Sequence, residues 1–131
     1  MRVVIDTNVY ISSLLFKGKA REVYDTCITN TDVFISDFII AELSDKLYSK
    51  FSLSTKTIKD IITSILAVAD KAVLVSPLPT ICRDKDDNHI LQLCESVSAE
   101  YLITGDKDLL IIVNYKSTRI LSPSDFLRLY H

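Results

Sequence analysis

Glycine, proline and tryptophan are scarce in this sequence, whose 131 residues include two glycines, three prolines and no tryptophan. Phosphate-binding loops of the GxGxxG and GxxxxGKS/T types need glycines at fixed spacing, and neither motif occurs. The three cysteines, Cys27, Cys82 and Cys94, form no CxxC pair. The sequence therefore argues against a dinucleotide site, a P-loop, a zinc site and a disulfide framework, and we expect buried, reduced thiols.

Long apolar runs and an excess of basic charge are also missing. Apolar stretches are interrupted well before the ~20 residues that a membrane span needs, and no signal-peptide pattern is visible. We therefore expect a cytoplasmic protein without a membrane partner. The net charge of −2 gives no broad basic face for holding nucleic acid through phosphate contacts alone. The length and the 48% hydrophobic content predict one globular domain, residues 1–131.

Apolar patterning predicts an α/β fold. Residues 3–5 are apolar without alternation, which is typical of a central strand covered on both faces, as in parallel sheets. Further strands are predicted at 33–35, 73–75, 101–103 and 119–121. Helical spacing predicts helices at 9–16, 20–29, 37–51, 55–69, 87–97, 109–112 and 123–130. This order predicts a doubly wound, largely parallel five-stranded sheet flanked by helices.

Four acidic residues fall where such a sheet would carry a site. Asp6 follows the first strand, Asp106 follows the fourth, Asp87 begins a helix, and Glu42 lies in the helix after the second strand. Ligands bind beyond the carboxyl ends of parallel strands, so we expect these acids to meet there. Carboxylates are the ligands of hard divalent cations, and without a cation at least one pKa should rise. The same acids also suit turns and helix caps, which leaves that alternative open.

Four motifs resemble those of PIN domains, in the same order and over essentially the whole chain. Residues 5–8 (IDTN) resemble the opening motif, 41–43 (AEL) the second acidic motif, and 104–106 (TGD) with Asp108 the fourth. Residues 83–88 (RDKDDN), followed by ILQL, are similar to the third motif of a PIN subfamily assigned to toxins. The resemblance implies a Rossmann-like sheet and an endoribonuclease that depends on Mg²⁺ or Mn²⁺. Such enzymes are often the toxin component of a toxin-antitoxin module.

The resemblance also implies roles for individual residues. The implied catalytic and metal-binding acids are Asp6, Glu42, Asp87 and Asp106. Supporting positions around them are Thr7, Asn8, Thr104, Asp84 and Asp108. Arg83 and Lys85 flank the third acid and Lys107 the fourth, so these basic residues are predicted to contact substrate phosphates. The position of Asp87 within the third motif favours it as the third metal ligand, although the choice among residues 84, 86 and 87 stays open.

Partners are predicted from the same features. The few basic residues point to single-stranded or loop RNA, and the resemblance points to a partner antitoxin protein. A symmetric homodimer is expected because the first helices carry many apolar side chains. The residues of this predicted apolar patch are Tyr10, Leu14, Leu15, Phe16, Tyr24 and Tyr48. His89 is either a general acid or a solvated helix residue, and His131, at the chain end, is expected to be frayed.

Three alternatives compete with this interpretation. A receiver-type phosphoacceptor domain should carry adjacent acids after the first strand and a lysine after the fifth. Here Thr7 follows Asp6, and Ser122 and Pro123 follow Leu121. The other two are a catalytically inactive PIN-like module that binds a partner, and a non-toxin PIN nuclease of RNA processing. A nuclease assay with added metal separates the active enzymes from the inactive module.

Overall fold

The computed structural model describes residues 1–130, so the expectation for His131 falls outside it. The strands are β1 Arg2–Ile5, β2 Asp32–Ile35, β3 Asp70–Lys71, β4 Tyr101–Ile103, β5 Asn114–Tyr115 and β6 Thr118–Leu121. The helices are α1 Thr7–Leu15, α2 Lys19–Asn30, α3 Asp37–Ser49, α4 Thr55–Leu66, α5 Lys85–Val97, α6 Lys107–Leu110 and α7 Pro123–Tyr130.

Within residues 1–130 the strands form one six-stranded sheet in the order β3-β2-β1-β4-β6-β5. All neighbouring pairs are parallel except β5 and β6, which form an antiparallel hairpin. In β1, Val3, Val4 and Ile5 have no exposed surface, as expected for a strand covered on both faces. The predicted α/β fold with a largely parallel, helix-flanked sheet is therefore confirmed, with β1 between β2 and β4 and with six strands in residues 1–130 instead of the predicted five.

The third strand was predicted at the wrong place. It lies at Asp70–Lys71, which pairs with Phe34 and Ile35 at the sheet edge, and the N–H of Ala72 still donates to the Ile35 carbonyl at 2.8 Å. The apolar run after it leaves the sheet, with Val73 81% and Val75 76% exposed. An edge strand this short has no apolar pattern of its own, and neither does β5, which the sequence analysis also missed.

The segment from residue 72 to residue 84 has no helix or strand and is held along α5 by side chains of that helix. The Ser96 hydroxyl accepts from the N–H groups of Ser76 and the residue before it, each at 3.1 Å. Gln92 donates to the Ser76 carbonyl at 3.0 Å, and the Asn88 side-chain oxygen accepts from the Cys82 N–H at 3.0 Å. Residues 88, 92 and 96 are one helical turn apart, so one face of α5 fixes this segment.

The buried residues of the first three helices correct one prediction. In α3 the core stripe is Ile39, Leu43 and Leu47, whereas Phe38 is only half-buried. In the predicted apolar patch, Tyr10 is fully buried and Tyr24 is 9% exposed, so both belong to the core. The reason is that α1 packs against both α2 and α3, which covers more of its surface than the sheet alone would.

The cysteines are free thiols, as expected. Cys27 and Cys94 are buried, and Cys82 is half-buried. Burial raises the pKa of Cys27 to about 12, so this thiol is not reactive near neutral pH. None of the helices in the part of the chain that the structure covers is both long and apolar enough to cross a membrane.

Candidate active site

Asp6 lies at the carboxyl end of the central strand and is 7% exposed. Its N–H continues the sheet by donating to the Ile103 carbonyl at 3.0 Å. One carboxylate oxygen accepts from the Thr7 N–H at 2.7 Å, which caps α1, and the other accepts from the Thr104 hydroxyl at 2.7 Å. Burial raises the pKa of Asp6, and these two hydrogen bonds partly offset that effect.

Thr104 joins the acid after β1 to the acid after β4. Its N–H donates to the Leu121 carbonyl at 2.9 Å, and its side chain is fully buried. The hydroxyl donates to Asp6 and accepts from the Asp106 N–H at 3.0 Å. Asp106 then caps α6 by accepting from the Asp108 N–H at 2.9 Å. One threonine side chain therefore sets the relative position of two predicted ligands.

Glu42 reaches the same edge of the sheet from α3. The buried Thr7 hydroxyl donates to one of its carboxylate oxygens, which ties α3 to the start of α1. Asn8, also predicted to support the acids, is exposed and instead accepts from the Lys46 ammonium at 3.1 Å. Lys46 was missed by the sequence analysis, although its position one helical turn after Glu42 is a usable signal.

Asp87 lies in the first turn of α5 and is 7% exposed. One of its carboxylate oxygens is fully buried and has no hydrogen-bond partner among the described residues. Burial, followed by the negative charges of Asp106, Asp84 and Asp6, raises its pKa to about 7. This direction agrees with the expectation that at least one pKa in the acid cluster rises without a cation, with burial as the largest cause.

The four acids have the donor chemistry for a hard divalent cation. Carboxylate oxygens are the preferred protein ligands of Mg²⁺ and Mn²⁺, and a cation would give the orphaned Asp87 oxygen a partner. Across residues 1–130, however, no three metal-binding side chains stand ready around a common point. Several of the oxygens accept hydrogen bonds from neighbouring residues instead. The candidate ligands are Asp6, Glu42, Asp87 and Asp106.

The other predicted residues lie around these four. Asp84 is exposed and caps α5 by accepting from the Asp86 N–H at 3.0 Å, so α5 begins at Lys85 and not at Asp87 as predicted. Arg83 donates to both carboxylate oxygens of Asp108, at 3.1 and 3.0 Å. Its guanidinium is therefore already paired, whereas Lys85 and Lys107 are exposed at the starts of α5 and α6.

A small cavity and a pair of stacked rings at the site were not predicted. The cavity has a volume of about 240 Å³ and is lined by Phe38, Ala41, Glu42, Asp45 and Asp86. The Phe38 ring stacks on the His89 ring at a centroid distance of 4.0 Å and an interplanar angle of 8°. These residues are 51 positions apart (89 − 38), so no local pattern in the sequence could reveal the contact.

Comparisons with known proteins agree with this fold. The PIN domain family profile matches residues 2–108. This chain belongs to the PIN domain family. Members of this family are generally nucleases. An uncharacterised Methanocaldococcus jannaschii protein, MJ1680, is 30% identical over 146 residues, covering 97% of this PIN domain chain and 90% of that protein.

Two solved structures resemble this PIN domain. VapBC2 from Rickettsia felis, bound to a DNA fragment from its promoter, matches with a TM-score of 0.68 and 13% identity, covering 93% of this chain and 98% of that chain. FitAB bound to an IR36 DNA fragment matches with a TM-score of 0.61 and 18% identity, covering 92% and 94%. At these identities the likeness shows a shared fold.

Replacing Thr104 with valine should disturb both acids without changing side-chain shape. The loss of the hydroxyl removes one partner from Asp6 and one from Asp106, so we expect a stability loss of about 1 to 3 kcal/mol. Metal affinity should fall by about 10- to 100-fold because the ligands lose their orientation. Thr104→Ser keeps the hydroxyl and is the control. Calorimetric Mn²⁺ titration that gave equal affinity for the valine variant and the wild type would contradict this role.

Proposed function

We propose that this protein is a divalent-metal-dependent endoribonuclease that hydrolyses RNA phosphodiester bonds, with residues 1–131 forming one PIN domain. The observation that carries the proposal is a buried Asp87 oxygen without a hydrogen-bond partner among residues 1–130, on a carboxylate close enough to Asp106 and Asp6 to be affected by their charges. A purely structural cap would not need this arrangement, because unpaired buried carboxylates destabilise a fold. Membership of a nuclease family supports the same conclusion.

In this proposal Asp6, Glu42, Asp87 and Asp106 hold Mg²⁺ or Mn²⁺. The cation, when bound, supplies Lewis-acid chemistry at the scissile phosphate and activates water. A carboxylate of this set accepts the proton of the attacking water as general base. Thr7 and Thr104 keep the acids in place through the hydrogen bonds described above.

Substrate phosphates are contacted by a few basic residues at the rim of the site. Lys85 and Lys107 are exposed beside the third and fourth acids. Arg83 donates to Asp108 through Nη2, and its other N–H groups are proposed to contact a phosphate, while Asp84 keeps α5 in place for these contacts. With a net charge of −2 this is too little for duplex binding by charge alone, which favours unpaired RNA.

We further propose that the protein is the toxin component of a toxin-antitoxin module and acts in the cytoplasm. The shared fold with the VapBC2 and FitAB structures supports a partner antitoxin. The proposal includes a homodimer, because Phe16 and Tyr48 remain 58% and 67% exposed. The alternatives are a non-toxin nuclease of RNA processing and an inactive module that binds a partner.

The test is RNA cleavage by the purified protein. We expect cleavage of a single-stranded RNA with Mn²⁺ or Mg²⁺, none with EDTA, and little with Ca²⁺, whose longer and more flexible coordination holds the phosphate less rigidly. A DNA strand of the same sequence is the substrate control. Cleavage that persists in EDTA would contradict a metal-dependent site. Absence of cleavage with every metal would favour the inactive binding module.

A further inference from the structure

One face of α3 lines the cavity beside the acids. Residues 38, 41, 42 and 45 recur at helical spacing, so they share one side of the helix. All four contribute to the cavity of about 240 Å³, which Asp86 closes from α5. This face is distinct from the core stripe of Ile39, Leu43 and Leu47. The cavity has Glu42 in its wall, so an occupant would lie beside one of the candidate metal ligands.

Phe38 is an aromatic ring on a face that the core does not require. It is half-buried, and its neighbour in the structure is His89, whose ring lies almost parallel to it at 4.0 Å. The Phe38 ring lines the cavity, whereas His89 does not. The histidine therefore packs against the phenylalanine from outside the cavity.

The cavity has the size and chemistry of a site for a single flat ring. It is smaller than the ~300 to 1,000 Å³ of sites for drug-sized ligands. The aromatic side chain of Phe38 suits stacking. The carboxylates of Glu42, Asp45 and Asp86 supply the charged groups of the lining. These carboxylates repel a phosphate group, but they accept hydrogen bonds from N–H donors.

We propose that Phe38, backed by His89, stacks against one unpaired base next to the cleaved phosphate. The acidic wall selects a base that presents N–H donors, guanine foremost. Guanine carries two adjacent donors on its pairing edge, which match the two oxygens of one carboxylate. This inference rests on the proposed ribonuclease function and adds a base preference to it. Phe38 is a substrate-positioning residue in this scheme.

The test combines Phe38→Leu with an RNA in which the base at each position beside the cleavage site is removed in turn. In the wild type, removing one particular base should raise KM by about 5- to 100-fold, the usual contribution of base stacking. On intact RNA, Phe38→Leu should raise KM by the same factor as removal of that base does in the wild type. On the RNA that lacks this base, Phe38→Leu should cause no further increase in KM. Phe38→Trp should restore wild-type KM. The acidic wall is tested with RNAs that carry guanosine or inosine at this position, since inosine lacks the 2-amino group. Asp45→Asn should reduce the preference for guanosine over inosine.

Tyr130→Leu is the matched control, because Tyr130 belongs to another stacked pair, with Phe126 at 5.3 Å, outside the cavity. It should leave KM unchanged. A Phe38→Leu protein with wild-type KM, or with equal losses on intact and abasic RNA, would overturn the inference. If the wild type cleaves no RNA with any metal, the ribonuclease proposal has failed. Fluorescence anisotropy with the same RNAs then decides the stacking separately, since it requires binding alone.

Discussion

Replacing Asp87 with asparagine should lower RNA cleavage by more than about 100-fold and yet raise the melting temperature of the metal-free protein. The first effect follows from the loss of a metal ligand. The second follows from removing a buried charge that faces Asp106 and that lacks a partner on one oxygen. A gain of roughly 2 kcal/mol at pH 8 would correspond to roughly 5 to 10 °C for a chain of this size.

The control is Asp86→Asn, because Asp86 is exposed in the same turn of α5. Its removal should change stability by no more than about 0.5 kcal/mol. Scanning calorimetry in EDTA measures the melting temperatures, and an RNA cleavage assay with Mn²⁺ measures activity. A clear loss of stability in the Asp87 variant would mean that this carboxylate supports the fold, and retained cleavage would remove it from the active site.

The metal-free protein should become less stable as the pH rises from about 4 to 7. The pKa of Asp87 is raised from 3.8 to about 7 by burial and by its acidic neighbours. Between these values the folded protein holds a proton that the unfolded chain has released, so raising the pH favours unfolding. Above about pH 7 this group contributes no further change. The loss is at most a few kcal/mol, roughly 1.4 kcal/mol for each pKa unit.

Urea denaturation in EDTA at several pH values measures this slope. Asp87→Asn should flatten it, and Mn²⁺ at pH 8 should restore the lost stability of the wild type, because the cation replaces the proton as the partner of the carboxylates. The buried Asp6 contributes in the same direction, since its pKa is also raised. A metal-free protein that gained stability over this range would show that the acids are not crowded in solution.

The sequence predicted the sheet where strands are long and buried, and failed at the sheet edges. Val3 to Ile5 are apolar and fully buried, so pattern and structure agree. The equally apolar run at residues 73–75 lies outside the sheet, because hydrogen bonding to β2 ends at Ala72. Apolar pattern reports burial, but it does not show which of two neighbouring segments pairs with a short edge.

The positions of the acids followed from topology, whereas their surroundings did not. Asp6 and Asp106 each follow a parallel strand, so their meeting at one sheet edge could be predicted without knowledge of side-chain packing. Their catalytic and metal-binding roles stay a prediction. Thr104 was expected beside the acids, but the sequence could not show that its hydroxyl bonds to both Asp6 and the Asp106 N–H. The stack of Phe38 on His89 depends on how α3 and α5 pack, which no spacing encodes.

The attachment of residues 72–84 to α5 has a consequence for how this protein can change. Asn88, Gln92 and Ser96 hold the segment, and the same helix carries Asp87. The irregular segment and the helix therefore have to be exchanged together between related proteins. Moving the helix without the segment before it would leave three polar side chains without their hydrogen-bond partners, and moving the segment alone would remove the side chains that hold it. An exchange that keeps these contacts together would take residues 72–98 as one piece.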